Sequence, residues 1–282
     1  MLAPKPAVTV YDCQHSTSLP GTPIRNPSSS SDATAKRTFD ETTAVADFFN
    51  TCFGRNSVDD HGMTLMSSIH YDVAYSNAFW NGSQMVYGDG DGQIFLDFTR
   101  SNDVIGHELT HGVTQYTAGL VYTNEAGALN ESISDAFGSM FRQWQAGQTV
   151  ENADWLIGAD IMGPAASAKG YTCLRDLSNP GGAHCMSRQP FDYRNYVPQG
   201  DPHLNSGIPN FAFYQAAKSI GGRSWEKAGR VWYAALTSDR ATKNMRFKSF
   251  ARLTRAMAKQ LFPDEPAIYA AVNDAWTSVG VR

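Results

Sequence analysis

The chain has 282 residues, a formal net charge of −4, 42% hydrophobic residues and 18% charged residues. That is enough chain for one large domain or two smaller ones around a cleft, and the mild acidity argues against nucleic-acid and anionic-membrane partners. No apolar run approaches the ~20 residues of a membrane span, and no N-terminal segment is charged and then apolar as in a leader peptide. The chain therefore reads as cytosolic as it stands, or as a mature form whose leader is left off.

Residues 7–11 read as a short strand. Residues 19–35 are rich in Pro, Ser and Thr and predict a surface loop or poorly ordered arm without chemistry. Residues 42–53 carry Val45, Phe48, Phe49 and Phe53 at helical spacing, which predicts a helix packed on the core. Strand-like runs fill residues 63–75. Residues 84–87 and 93–98 read as two strands joined by a tight turn at 88–92, Gly-Asp-Gly-Asp-Gly. That run resembles part of a calcium-binding EF-hand loop, but the loop's terminal glutamate and flanking helices are missing.

The next stretch carries chemistry. His107-Glu108-Leu109-Thr110-His111 places two imidazoles one helical turn apart on a shared face, where both reach one metal ion. Glu108 falls beside that ion, where a general base for a metal-bound water belongs. The same pentapeptide can arise by chance on a solvated helix, so the flanks matter. Ile105, Leu109, Val113 and Tyr116 form an apolar stripe opposite the histidines, and Ser101 or Asn102 suits the helix start. A second helical pattern follows, with Ile133, Phe137, Met140, Phe141 and Trp144 as its apolar stripe. Glu131 and Asp135 sit opposite that stripe, one turn apart. If the two ligand faces converge, His107, His111 and Glu131 supply two nitrogens and a carboxylate and leave the fourth position of a tetrahedral zinc site open. Asp135 is then placed to hold the free N–H of one histidine.

Residues 162–207 form a long irregular region rich in Gly, Pro and Asn. Residues 224–236, 247–261 and 267–279 repeat apolar residues at helical steps, with Ser224 as a cap and Pro263 and Pro266 as punctuation. Four cysteines permit three pairings. Cys13–Cys52, tying down the N-terminal segment, and Cys173–Cys185, closing a short loop, are favoured and imply an oxidising compartment.

With the motifs in hand, the chain resembles the thermolysin family of zinc metalloendopeptidases, from about Asp40 to the C-terminus. The resemblance is carried by residues 107–111 (HELTH), 116–122 (YTAGLVY), 128–135 (ALNESISD), 77–80 (NAFW), 85–92 (MVYGDGDG) and 203–210 (HLNSGIPN). The short N-terminal half and residues 53–57 are most similar to the compact, protealysin-like branch. The resemblance implies an α+β fold: a sheet-rich N-terminal domain (1–116) and a mostly helical C-terminal domain (117–282), joined by the zinc-binding helix, with the active site between them. It implies one catalytic zinc on His107, His111 and Glu131, with Glu108 activating the water and then carrying its proton to the leaving amine. Tyr122 and His203 match the donors to the oxyanion, and Asp135 the carboxylate behind the first histidine. Asn77 and Ala78 match an edge strand that binds substrate main chain, and Arg175 an arginine that holds a substrate carbonyl. Phe95, Phe98, Val104, Ile157, Ile161 and Leu174 match the wall of the specificity pocket. All six are apolar, which implies cleavage on the amino side of bulky hydrophobic residues.

Two departures stand out. Pro198 occupies the position of the family's histidine-orienting aspartate, and Asp201 is a substitute at a different spacing. At the family's double calcium site Asp103 and Asp154 remain, but Arg142, Leu156 and Ala159 take the other positions, so the double site is expected to be absent. Polypeptides are the expected substrates, a propeptide of its own is a possible partner, and the chain is expected to be an extracellular monomer. The alternatives are a catalytically weak or silent, zinc-containing peptide-binding relative, and a structural zinc protein, for which no fourth ligand is evident.

Overall fold

The computed structural model describes residues 5–282. β1 (Val8–Asp12), the two-residue β2 (Thr22–Pro23), α1 (Ala33–Phe53), β3 (Leu65–Ile69), β4 (Ala78–Trp80) and β5 (Met85–Tyr87) build the N-terminal part. The sheet order is β2-β1-β3-β5-β4, with β1–β3 and β3–β5 parallel and the two outer pairs antiparallel. Parallel neighbours need a crossover, and α1 supplies it between β1 and β3. β4 is therefore an edge strand, with Asn77 at its start.

α1 begins well before residue 42, where the apolar spacing places it. Asp32 caps it, its carboxylate accepting the N–H groups of Thr34 at 2.9 Å and Ala35 at 3.4 Å. Gly54, in the left-handed region at φ 71°, ends it. The early turns carry Lys36, Arg37, Asp40 and Glu41, so they show no apolar stripe. The Pro/Ser-rich segment before them is structured too, with β2 pairing on β1. Residues 93–98 are not the second arm of a hairpin. Asp91 Oδ1 accepts the N–H groups of Gln93, Ile94 and Phe95 and curls the chain away, and the hairpin is formed instead by β4 and β5.

The remaining elements are α2 (Asn102–Gln115), α3 (Asn124–Gln145), β6 (Leu156–Ile157), α4 (Pro164–Ala168), β7 (Arg175–Asp176), α5 (Pro202–Asn205), α6 (Gly207–Ile220), α7 (Ala228–Leu236), α8 (Phe247–Leu261) and α9 (Pro266–Ser278). A sheet-containing N-terminal part and a helical C-terminal part thus meet at α2, as expected. α6 is the element that residue pattern alone hides. Gly207 and Pro209 look like loop residues, yet Pro209 sits in the first turn, where a missing N–H costs nothing. Ser224 is not a cap: its hydroxyl donates to Gln143 Oε1 at 2.7 Å, and α7 starts at Ala228. No described helix is long and apolar enough to cross a membrane.

The core runs through both parts. Phe48, Phe49 and Phe53 of α1 meet Phe137 and Phe141 of α3, with Phe49 stacked on Phe137 at 5.5 Å. Ile105, Leu109 and Val113 are buried as the stripe predicts, whereas Tyr116 lies past the helix end and is 44% exposed. His107, Glu108 and Thr110 are buried as well.

The expected disulfides are not formed: all four cysteines are free. Cys13 follows β1 next to Ile69, at the end of the sheet where Asp32 starts α1. Cys52 lies at the far end of α1. At 1.5 Å per residue that helix separates them by roughly 28 Å, far beyond the ~7 Å between Cα atoms that a disulfide tolerates. Cys173 Sγ and Cys185 Sγ are neighbours at 3.8 Å but unbonded.

His70, just after β3, ties α1 to the 88–92 loop. Its Nδ1 lies 2.9 Å from Asp89 and its Nε2 3.0 Å from Asp32, with the His15 ring tilted against it at 5.7 Å. The bond to Asp89, helped by Asp32 and opposed by burial, raises the imidazole to about 9. A raised histidine pKa contributes stability that is complete below the unfolded value, ~6.5, and is lost as pH rises through the folded value. The urea midpoint is therefore expected to fall between pH ~6.5 and ~9. In His70→Asn, which suits the positive φ of 51° here, that slope disappears. An identical pH dependence in both proteins would remove this linkage.

Candidate active site

α2 and α3 pack closely because two glycines face each other at their crossing. A Cβ on Gly138 would lie 2.4 Å from the Asp103 carbonyl oxygen, and one on Gly106 would lie 3.1 Å from Gly138 Cα. This approach brings the carboxylate of α3 onto the histidines of α2. His107 Nε2 and His111 Nε2 are 3.0 Å apart, and each is 3.4 Å from a Glu131 oxygen.

The protonation states follow from the outer partners. His107 Nδ1 donates to Asp135 Oδ1 at 2.9 Å. His111 Nδ1 lies 2.8 Å from Asn130 Oδ1, and the Asn130 amide is oriented by its own donation to the Leu120 carbonyl at 3.0 Å. Both histidines therefore carry hydrogen on Nδ1 and turn Nε2 lone pairs toward each other. Glu131 Oε2 is buried with no hydrogen-bond partner. Two lone pairs and an orphaned carboxylate oxygen converging on one point are held together by a cation. Zinc at 2.0–2.1 Å from each donor gives tetrahedral edges of about 3.3 Å, which the three observed separations approximate. The electrostatics show a demand for positive charge at the same point: burial opposes charge on His107, but Glu131 and Asp135 outweigh it and raise the ring to about 10, so a bound cation takes the place of the Nε2 proton. Burial likewise opposes charge on Glu131, and the histidines outweigh it and hold the carboxyl well below its usual range.

Asp135 is a fully buried hub. Besides His107 it receives Arg175 Nε at 2.7 Å, Arg175 Nη2 at 2.6 Å and Asn210 Nδ2 at 2.8 Å. Tyr122 OH donates to Glu131 and lies 3.3 Å from His203 Nε2. His203 Nε2 is itself 3.3 Å from Glu131 Oε2. Asp201 takes over the orienting position left by Pro198: its Oδ1 caps α5 and accepts from His203 Nδ1 at 2.9 Å.

His107, His111, Tyr122, Asn130, Glu131 and His203 line one cavity of about 510 Å³. Glu108 faces it from α2, Asn77 and Ala78 from the edge strand, and Arg175 from β7. Of the six expected pocket residues, Phe98, Val104, Ile157 and Leu174 line the cavity. Phe95 and Ile161 do not: Phe95 packs behind Phe98 at 5.5 Å, and Ile161 is fully buried. Asn130 and Asn210 were not singled out by residue pattern. Each is an ordinary helical amide until its helix is packed, α3 on α2 for Asn130 and α6 on α3 for Asn210.

Beside the site, Arg142 reaches Asp103 at 3.1 Å, Asp160 at 2.6 Å and Asp154 at 3.8 Å. A guanidinium thus stands among the carboxylates that remain from the family's calcium pattern.

Comparison with known proteins bears on this geometry. A family model for the thermolysin metallopeptidase catalytic domain matches residues 3–115, and one for the alpha-helical domain matches residues 118–281. The extracellular metalloprotease of Pectobacterium carotovorum subsp. carotovorum is 44% identical over 97% of this chain and 81% of its own length. Protease PrtS of Photorhabdus sp. (strain Az29) is 40% identical over 97% of this chain and 76% of its own. The solved precursor of protealysin, a metalloproteinase from Serratia proteamaculans, superposes with a TM-score of 0.93 at 42% identity, covering all of this chain and 90% of that one.

Proposed function

The chain belongs to the thermolysin metallopeptidase family and is a zinc endopeptidase, and from that premise we infer how its own residues divide the work. The observation that carries the reading is the convergence of His107, His111 and Glu131 on one point beside Glu108. These three residues would hold the zinc ion, which when bound would lower the pKa of water from 15.7 toward ~7 and polarise the scissile carbonyl. Glu108 takes the proton of the attacking water and returns it to the leaving amine. Tyr122 and His203 donate to the oxygen that becomes negative. Burial and the Glu131 charge raise the Tyr122 phenol far above its ordinary value, which keeps it a donor. Asp201 fixes His203, and Asp135 fixes His107. β4, with Asn77 and Ala78, pairs with substrate main chain, as an unpaired edge can. Arg175 holds a substrate carbonyl while two of its nitrogens clamp Asp135.

The apolar wall of Phe98, Val104, Ile157 and Leu174 favours a bulky hydrophobic side chain just after the cleaved bond. Phe95 and Ile161 support that wall from behind. The intact Glu108, Tyr122 and His203 favour this reading over a silent peptide-binding relative. The Arg142 cluster supports one catalytic zinc without the double calcium site. The extracellular relative supports secretion, the protealysin precursor supports a propeptide, and a monomer suffices because one chain supplies every group in the cavity. The division between the two domains falls after Tyr116, where α2 ends.

A peptide library tests the specificity. Cleavage is expected before Leu, Phe and similar residues, to stop with a chelator and to return with zinc. Cleavage that ignores the chelator, or cuts after basic residues, would overturn the reading. Tyr122→Phe is expected to lower kcat about a hundredfold with little change in KM, and an unchanged kcat would remove Tyr122 from oxyanion binding.

A further inference from the structure

A second cluster of metal-ligating side chains lies around β7, with Cys173 just before the strand and His184 and Cys185 on the loop that follows it. Cys173 Sγ, Cys185 Sγ and a ring nitrogen of His184 offer three donor atoms within 4.8 Å of one another. Cys173 and Cys185 are fully buried and joined by a parallel backbone bridge. We propose that Cys173, Cys185 and His184 bind a second, structural zinc ion, with Asp176 as the fourth donor.

The spacing carries the argument. A disulfide would put the sulfurs about 2.05 Å apart; they are 3.8 Å apart. Tetrahedral zinc with Zn–S of 2.3 Å requires a sulfur–sulfur edge of about 3.8 Å. With Zn–N of about 2.05 Å the sulfur–nitrogen edge is about 3.5 Å, and His184 Nε2 lies 3.6 Å from Cys185 Sγ. Asp176 Oδ2 is 3.0 Å from the same nitrogen, close to the nitrogen–oxygen edge of about 3.3 Å. Asp176 Oδ1 is already held by the N–H and hydroxyl of Ser178, at 2.8 and 2.6 Å, so the carboxylate is oriented before any ion arrives.

The ring is oriented as well. A Cβ on Gly182 would fall 2.4 Å from His184 Cε1 and 2.7 Å from Nδ1, so only glycine lets the loop hug the imidazole. Binding releases the two thiol protons and moves the His184 ring proton from Nε2 to Nδ1, so the ion meets two thiolates and a neutral imidazole. The ion would staple the loop to β7, the strand whose Arg175 clamps Asp135.

Cobalt separates this site from the catalytic one, because only a thiolate site gives a sulfur-to-cobalt charge-transfer band in the near ultraviolet. Purified full-length enzyme is stripped of metal under reducing conditions and titrated with Co²⁺. The proposal expects that band, and zinc content that falls by one equivalent in Cys173→Ser/Cys185→Ser. Because those cysteines are buried, His184→Ala provides the second arm. His184 is one-third exposed, so the variant is expected to fold and keep peptidase activity while binding cobalt at this site at least tenfold more weakly. Absence of the band in the reduced protein would overturn the proposal. So would a band unchanged in His184→Ala, or a native protein in which thiol titration and mass show a Cys173–Cys185 disulfide.

Discussion

Glu108→Gln is expected to lower kcat by about 10³–10⁴ while leaving zinc content and fold unchanged. Glu108 sits between the two histidines on α2, 6% exposed and facing the cavity. Glutamine has the same shape but accepts no proton, so the variant removes the general base alone, a loss of the size typical for acid–base catalysis. Because the residue is not among the three converging donors, metal affinity is expected to stay within a few-fold. Stopped activity with full zinc occupancy separates proton transfer from metal binding. Retention of more than a tenth of the wild-type kcat would show that another group moves the proton.

Asp135→Ala acts through two neighbours at once. The carboxylate is fully buried and accepts from His107, from both arms of Arg175 and from Asn210. Burial opposes its charge, yet Arg175 and His107 hold the carboxyl far below its usual range. Removing it leaves the Arg175 guanidinium, 7% exposed, without a counter-charge, which costs about 3–5 kcal/mol. It also frees His107 to rotate and to shift its proton, which typically weakens metal binding about 10–100-fold. The expected result is a lower urea midpoint together with weaker zinc binding in a chelator competition. Asp135→Asn, which keeps the size and one acceptor, is expected to fall between wild type and alanine. Wild-type stability in the alanine variant would mean that Arg175 has found another partner.

Much of the site was legible in the residues. The four-residue spacings of His107 with His111 and of Glu131 with Asp135 survive folding because each pair lies inside one helix, where 3.6-residue periodicity is enforced by the backbone. Tyr122, His203 and Arg175 had to come from resemblance, since nothing local distinguishes them from a loop tyrosine, a surface histidine or a strand arginine. Asn130, Asn210 and the facing glycines Gly106 and Gly138 acquire meaning only when two helices touch, which one chain read in order does not display. Local signals misled where backbone chemistry outweighed side-chain pattern. Asp91 turned an expected strand into a loop, and Asp32 started a helix among polar residues. Phe95 and Ile161 have the right apolar character for a pocket wall, but burial put them one layer behind it. The cysteine pairing failed for Cys13 and Cys52 on distance, since the length of α1 lies between them.

Anomalous diffraction at the zinc absorption edge, from crystals of the enzyme grown without chelator, tests the central claim most directly. The account predicts a peak about 2.0–2.1 Å from His107 Nε2, His111 Nε2 and a Glu131 oxygen, with Glu108 nearby and not coordinated. Density showing no metal among those three side chains, or showing Glu131 turned away from both imidazoles, would contradict it.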